Sequence, residues 1–340
     1  MTTTTPSSVD SLDSVARMIA PQAQVVLLTH VNPDGDAVGS VTALARALRA
    51  SGRRVFAYMS GLVSPSLREL AGDLAWSLVD RVPPDAKADV IGIIDTGSRS
   101  QLPFAEEFLR ARRESAFILD HHRAQDDIAA SRFVDASASS ATMLVARLLD
   151  AMGLPITPEV ANPLFAGLAT DTGWFRFSSA GSEALRLAAR LIDAGADRDG
   201  LYQLLEETND KARLAIEARA LAGVEYVGDG SVALMSLGPE DFVATGASRD
   251  MLSGLVNAPM MVGVVRMSVL LTEADTGLTK ISLRGKPAGG RYEAAPVEAV
   301  ARALGGGGHL LAAGARLKMS RAAARTEVLR VLQATSRGSG

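Results

Sequence analysis

Apolar residues along the chain follow two different periods. Short branched runs cover residues 25–28, 55–59, 90–94 and 116–119, the pattern of strands buried on both faces. Between them the spacing becomes helical, as in Val38, Val41, Leu44, Ala45 and Leu48, a stretch that stops at Ser51-Gly52. Strands alternating with helices predict a mostly parallel sheet covered on both sides. A helix is expected over residues 158–169. Residues 182–223 form an Ala-, Leu-, Arg- and Glu-rich helical tract broken at 195–200. Strand-like runs at 231–237, 263–271 and 278–283, a helical pattern over 296–304 and a last helix over 320–334 predict a smaller α/β domain. The fold expected is therefore α/β, with a parallel-sheet domain over residues 1–195, a helical connector over 196–226 and the smaller α/β domain over 227–335.

The polar residues that interrupt this pattern fall where the strands end. His30, Asp34 and Asp36 follow the first run, Asp95 closes the third, and Asp120-His121-His122 closes the fourth. The carboxyl ends of parallel strands share one edge, so residues distant in sequence can converge there. Thr170-Asp171-Thr172-Gly173, after the expected helix, is a further candidate contribution. Each element also has an ordinary reading: Asn32-Pro33-Asp34-Gly35-Asp36 as a surface turn with capping aspartates, Asp95 as a helix cap, and Asp171 as a turn residue.

Composition narrows the chemistry. The chain has 340 residues and no cysteine, which removes disulfides, thiolate metal sites and cysteine nucleophiles. Its only histidines are His30, His121, His122 and His309, all inside aspartate- or glycine-rich motifs. Imidazoles beside carboxylates, without thiolates, suit Mn²⁺, Mg²⁺ or Co²⁺, and two such ions close together form a phosphoryl-transfer clamp. A net charge of -3 argues against a broad basic track for a long polyanion. The opening residues MTTTTPSSVD lack a basic segment followed by a long apolar run, so no secretory signal is expected and the location expected is cytoplasmic.

Arg284 follows a predicted strand, and its guanidinium suits bidentate phosphate contact, although an exposed surface arginine is the plain alternative. Gly305 to Gly308 offer backbone donors beside His309, while composition alone favours a flexible loop. Trp174, Phe175 and Phe177 cluster in a chain that is only 4% aromatic. They could stack on a base, line a cleft between domains, or pack into the core as a strand.

Taken in order, His30-Val31-Asn32-Pro33-Asp34-Gly35-Asp36-Ala37-Val38-Gly39-Ser40, Asp95, Asp120-His121-His122 and Thr170-Asp171-Thr172-Gly173 resemble the four motifs of the DHH phosphoesterase superfamily. Gly305 to His309, continued by Ala312-Ala313-Gly314, resembles the glycine-rich signature of the DHH-associated domain. The resemblance spans nearly the whole chain, and within the superfamily it points to the bifunctional oligoribonuclease and PAP phosphatase group, the nanoRNase type. It implies that His30, Asp34 and Asp95 hold one ion while Asp36, Asp95, His121 and Asp171 hold a second, with Asp95 bridging. It gives His122 a phosphate-contacting or general-acid role and leaves Asp120 to orient a neighbouring histidine. Arg284, Gly307, Gly308 and His309 would bind substrate.

The function expected is a Mn²⁺-dependent phosphodiesterase that degrades short oligoribonucleotides and linear dinucleotides such as pApA to mononucleotides. Removal of the 3′-phosphate of adenosine 3′,5′-bisphosphate is a companion activity. A manganese-dependent pyrophosphatase or polyphosphatase shares the metal-site argument, and a nonhydrolytic nucleotide sensor is the alternative of another class. No membrane partner is implied, and a homodimer is left open.

Overall fold

The computed structural model describes residues 10–72, 76–123, 125–208, 210–289 and 294–337, except for the side chains of Ala274, His309, Ser336 and Arg337. The chain divides into two units, Met1–Thr208 and Asn209–Gly340. Among the described residues no helix is long and apolar enough to cross a membrane.

In the first unit the elements run α1 (Leu12–Met18), β1 (Gln24–Leu28), α2 (Gly35–Ala50), β2 (Arg54–Met59), α3 (Pro65–Ala71), β3 (Trp76–Leu78), β4 (Val90–Ile94) and α4 (Glu106–Arg110). They continue as β5 (Ala116–Asp120), β6 (Ser131–Val134), α5 (Ala141–Ala151), α6 (Pro158–Asp171), α7 (Ser182–Asp193) and α8 (Arg198–Glu206). The sheet is parallel throughout in the order β3-β2-β1-β4-β5-β6. The direction of winding therefore reverses between β1 and β4, the place where an open parallel sheet leaves a crevice at its carboxyl edge.

Strand periodicity divides the apolar residues between two cores. Val25 and Leu27 of β1, Val90 and Ile94 of β4, and Phe117 and Leu119 of β5 face one helical layer. Val26, Leu28, Ile91, Ile93 and Ile118 face the other, with Phe108 and Leu109. Helix α2 is buried almost all round along its first three turns, which demands close neighbours. A Cβ on Gly39 of α2 would stand 2.4 Å from the Pro163 carbonyl oxygen of α6, and one on Gly167 of α6 would stand 3.1 Å from the Asp36 Cα of α2. This close approach of α6 to α2 carries Asp171, the last residue of α6, toward the start of α2.

The second unit contains α9 (Lys211–Ala222), β7 (Glu225–Val227), β8 (Val232–Leu237), α10 (Pro239–Thr245), β9 (Met267–Asp275), β10 (Leu278–Gly285), α11 (Glu298–Ala303), β11 (Gly307–His309), β12 (Ala312–Leu317) and α12 (Arg321–Arg337). Its sheet runs β11-β12-β10-β9-β8-β7 and is mixed, since β8 pairs with β9 in parallel and the other pairs are antiparallel. One face packs on α11 and α12 through Val300, Val328 and Leu332, and the other on α9 and the 3₁₀ segment Leu255–Met261 through Ile216 and Leu255. Of the helical tract 182–223, α7 and α8 lie in the first unit and α9 in the second.

Candidate metal centre

The loops that leave β1, β4 and β5 and the end of α6 bring seven of the sequence-selected residues together. His30 Nε2 lies 3.9 Å from Asp34 Oδ1 and 3.6 Å from Asp95 Oδ2. His121 Nε2 lies 3.7 Å from Asp36 Oδ2, 3.4 Å from Asp95 Oδ1 and 3.8 Å from Asp171 Oδ2. His122 Nδ1 is 3.6 Å from Asp95 Oδ1 and 2.9 Å from Asp120 Oδ1. Among the described residues three groups have ligand atoms within 4.8 Å of one another: His30 with Asp34 and Asp95, Asp36 with His121 and Asp171, and Asp95 with His121 and His122.

Each side chain is aimed by a local device. Asp34 is the N-cap of α2, and its Oδ1 accepts from the amides of Asp36 and Ala37 at 3.1 and 3.0 Å, so the capping and cluster readings hold together. Asp36 caps a different helix. Its carboxylate accepts from the Ala141 and Thr142 amides at 2.6 and 3.0 Å, at the positive end of α5. The His30 Nδ1–H donates to the Val31 carbonyl at 3.0 Å and turns Nε2 toward the carboxylates. Asp95 is held at φ +63°, a left-handed conformation rarely adopted by residues other than glycine, and its amide donates to the Leu119 carbonyl. Strain of this kind gathers at functional sites.

Charge is out of balance here. Asp36 and Asp95 are each 2% exposed. Burial and the facing Asp95 and Asp171 carboxylates push Asp36 well above the usual carboxylate range. Burial also raises Asp171 to about 6 against the opposing pull of His121, with Asp95 and Asp34 adding to the rise. For Asp95 burial acts upward too, yet the His121 and His30 imidazoles that face it at 3.4 and 3.6 Å bring it below its ordinary value. The imidazoles answer in kind. Burial alone would lower them, but Asp95 and its neighbours raise His30 to about 9 and His121 to about 10. Buried Asp95 Oδ1 has no hydrogen-bond partner. An orphaned carboxylate oxygen among oxygen and nitrogen donors, with no sulfur, fits divalent cations such as Mn²⁺ and Mg²⁺.

Asp120, fully buried, stands behind His122 rather than in the cluster. Its Oδ1 accepts from the His122 amide at 3.1 Å and from Nδ1 at 2.9 Å, and its Oδ2 accepts from Gln125 Nε2 at 2.6 Å. The hydrogen bond to Asp120 raises the His122 pKa. Gln125 carries no metal-site signature in sequence. Its place just beyond the histidine pair is the one clue to its role.

The remaining candidates lie elsewhere. Arg284, on β10, is half-buried and donates through Nε to Asn257 Oδ1 at 2.9 Å; burial lowers its pKa. Gly307, Gly308 and His309 form β11, an ordered edge strand rather than a free loop, because Gly307 pairs with Gly314 and Gly308 with Ala313. His309 pairs with Ala312, and Ala312 pairs with Arg284, which sets the three in one row across the sheet. The His309 side chain lies outside the described residues. Trp174, Phe175 and Phe177 belong to a turn after α6, not to a strand, with Trp174 packed edge-on against Tyr202 at 4.8 Å and Phe177 exposed.

The chain matches the model of the DHH family, N-terminal domain, over residues 24–168. It is 32% identical to the bifunctional oligoribonuclease and PAP phosphatase NrnA of Thermus thermophilus, over 88% of this chain and 86% of that protein. It is 25% identical to the Bacillus subtilis protein of the same name, over 88% of this chain and 91% of the other. Among solved structures, an exopolyphosphatase-related protein from Bacteroides fragilis superposes with a TM-score of 0.86 at 27% identity and covers 95% of each chain.

Proposed function

The chain belongs to the DHH family of phosphoesterases, and from that premise we propose that it hydrolyses short oligoribonucleotides and linear dinucleotides such as pApA to mononucleotides. We also propose removal of the 3′-phosphate from adenosine 3′,5′-bisphosphate, in keeping with the names of its relatives. The observation that carries the reading is the meeting of aspartate and histidine groups at Asp95, on the carboxyl edge of a parallel sheet where its winding reverses.

Enzymes of this family are metal-dependent, and the groups around Asp95 have the donors to hold a metal. We assign His30, Asp34 and Asp95 to one ion and Asp36, Asp95, His121 and Asp171 to a second, with Mn²⁺ the ion of first choice and Mg²⁺ or Co²⁺ as substitutes. Such a pair, when bound, supplies an activated water and stabilises charge on the attacking and leaving oxygens.

The protein's own groups complete the reaction. The Val31 carbonyl fixes the ring of His30, and the α5 amides fix the carboxylate of Asp36, so both ligands are oriented before anything binds. Asp120 holds Nδ1 of His122 and stabilises the imidazolium, which leaves Nε2 to pass its proton to the departing oxygen. In the second unit, Arg284, Gly307, Gly308 and His309 are assigned to phosphate recognition; a half-buried guanidinium whose hydrogen-bond partner is a neutral amide is suited to an anion.

A matched assay with Mn²⁺ tests the reading: a 5′-labelled RNA dinucleotide, a long RNA, adenosine 3′,5′-bisphosphate and pyrophosphate. Preference for the dinucleotide or the bisphosphate is the result expected. Selective cleavage of pyrophosphate would overturn the substrate assignment and leave the phosphoesterase centre intact.

A further inference from the structure

Helix α6 ends in a cap that accounts for one left-handed residue but not for three. The Gly173 amide donates to the Thr170 carbonyl, the Trp174 amide donates to the Ala169 carbonyl, and Gly173 holds φ +57°. This is a complete Schellman termination, which needs a left-handed residue only at the glycine. Trp174 and Phe175 nevertheless follow at φ +56° and +63°. Two consecutive aromatic residues in that region are costly for side chains with a Cβ, and the helix cap does not require them. What they accomplish is to fold the chain back, so that both rings border an open groove of about 460 Å³ completed by Tyr202, Gln203, Arg198, Asp199 and Glu207.

The groove's chemistry is selective. Trp174 is fixed at both ends, its ring against Phe165 and Tyr202 and its Nε1–H donating to Glu206 Oε1 at 2.8 Å. Tyr202 is 43% exposed. Arg198 is occupied by Asp199 at 2.6 Å, which leaves Glu207 as an acidic group on the wall. Fixed aromatic rings on an acidic wall reject a phosphate. They admit a flat, neutral ring with amino donors at its edge.

We propose that this groove, beginning three residues after Asp171, is a nucleobase site that receives a base of the substrate on Trp174, Phe175 and Tyr202, with Gln203 and Glu207 accepting from its edge. The proposal rests on the short-oligonucleotide reading above and adds where one base goes. It also gives the aromatic turn a function distinct from the second unit's phosphate recognition.

The chain has two tryptophans, so Trp76→Phe leaves Trp174 as the sole indole reporter. Titration of that variant with adenosine monophosphate should quench its fluorescence saturably, whereas ribose 5-phosphate should not. Adding Tyr202→Ala should weaken adenosine monophosphate binding roughly tenfold, the scale of one lost base–aromatic stack. In the metal-loaded enzyme, Tyr202→Ala should lower the ratio of kcat/KM for a dinucleotide to that for bis(p-nitrophenyl) phosphate by a similar factor, with circular dichroism confirming an intact fold. Absence of quenching, equal quenching by ribose 5-phosphate, or an unchanged ratio would each overturn the proposal. If the parent enzyme cleaves no dinucleotide, it is the substrate reading that fails, and the fluorescence titration alone decides the groove.

Discussion

The cluster around Asp95 in the first unit and the Arg284 row in the second carry opposite unpaid charges. Around Asp95, buried carboxylates crowd together and raise the pKa of the neighbouring imidazoles, and one buried oxygen, Asp95 Oδ1, makes no hydrogen bond. At Arg284 a half-buried guanidinium has a neutral amide where a carboxylate would ordinarily stand. Both arrangements hold charge that is partly desolvated and only partly compensated, a state that a ligand of opposite sign relieves. The first asks for cations and the second for an anion. Each demand is a property of its own unit, and the two can be tested separately.

The sharpest way to break this comparison is at Asp95. Asp95→Ala should lower turnover on the order of 10³-fold or more, because the residue is shared between ligand groups, while the far-ultraviolet circular dichroism stays unchanged. A fully active variant would remove the bridge from the account. Next in size is Asp120→Asn, which loses the acceptor that fixes His122. A fall in kcat of about 10–100-fold is expected with metal affinity little changed, and titration calorimetry beside steady-state kinetics separates the two. Arg284→Ala should act on the other side of the comparison and raise KM by about tenfold with a smaller effect on kcat, the worth of one charge-assisted phosphate contact. An unchanged KM would take Arg284 out of substrate binding.

The smallest effect concerns pH and stability in metal-free protein. The folded-state pKa values of His30 and His121 are raised from 6.5 to about 9 and about 10, and that of Asp171 is raised from 3.8 to about 6. A raised folded pKa contributes stability below the unfolded value and loses it as pH rises through the folded value. The apoprotein's Tm should therefore lose Asp171's contribution as pH rises from near 3.8 to near 6 and those of His30 and His121 as it rises from near 6.5 to near 10. Saturating Mn²⁺ should flatten that slope, since the cation replaces the protons, and differential scanning calorimetry with and without metal reads both. An identical slope in the two samples would show that the imidazoles do not face the metal.

Legibility in sequence followed burial. The strands β1, β4 and β5 are apolar and buried, and β2 buries one face through Val55, Ala57 and Met59; their runs announced all four within a residue or so. The edge strands β3 and β6 escaped because their half-exposed residues, Trp-Ser-Leu and Ser-Arg-Phe-Val, carry no two-sided apolar run. The charged residues at the strand ends were readable because a parallel sheet gathers such ends on one edge. Their supports were not. Asp36 leans on the amides of residues 141 and 142, and Arg284 leans on Asn257, pairings that only the folded chain creates. Residues 307–309 were misleading for another reason: glycine composition resembles flexibility, yet at Gly308 a Cβ would stand 2.5 Å from the Ala313 Cα, so the absent side chain is what allows the strand to pair.

The central claim is that Asp95 joins two cation sites, and titration calorimetry of metal-free protein with Mn²⁺ tests it most directly. The account predicts two ions bound per chain in the parent protein and loss of tight binding at both sites in Asp95→Ala. One ion per chain in the parent, or two undiminished sites in the variant, would contradict it.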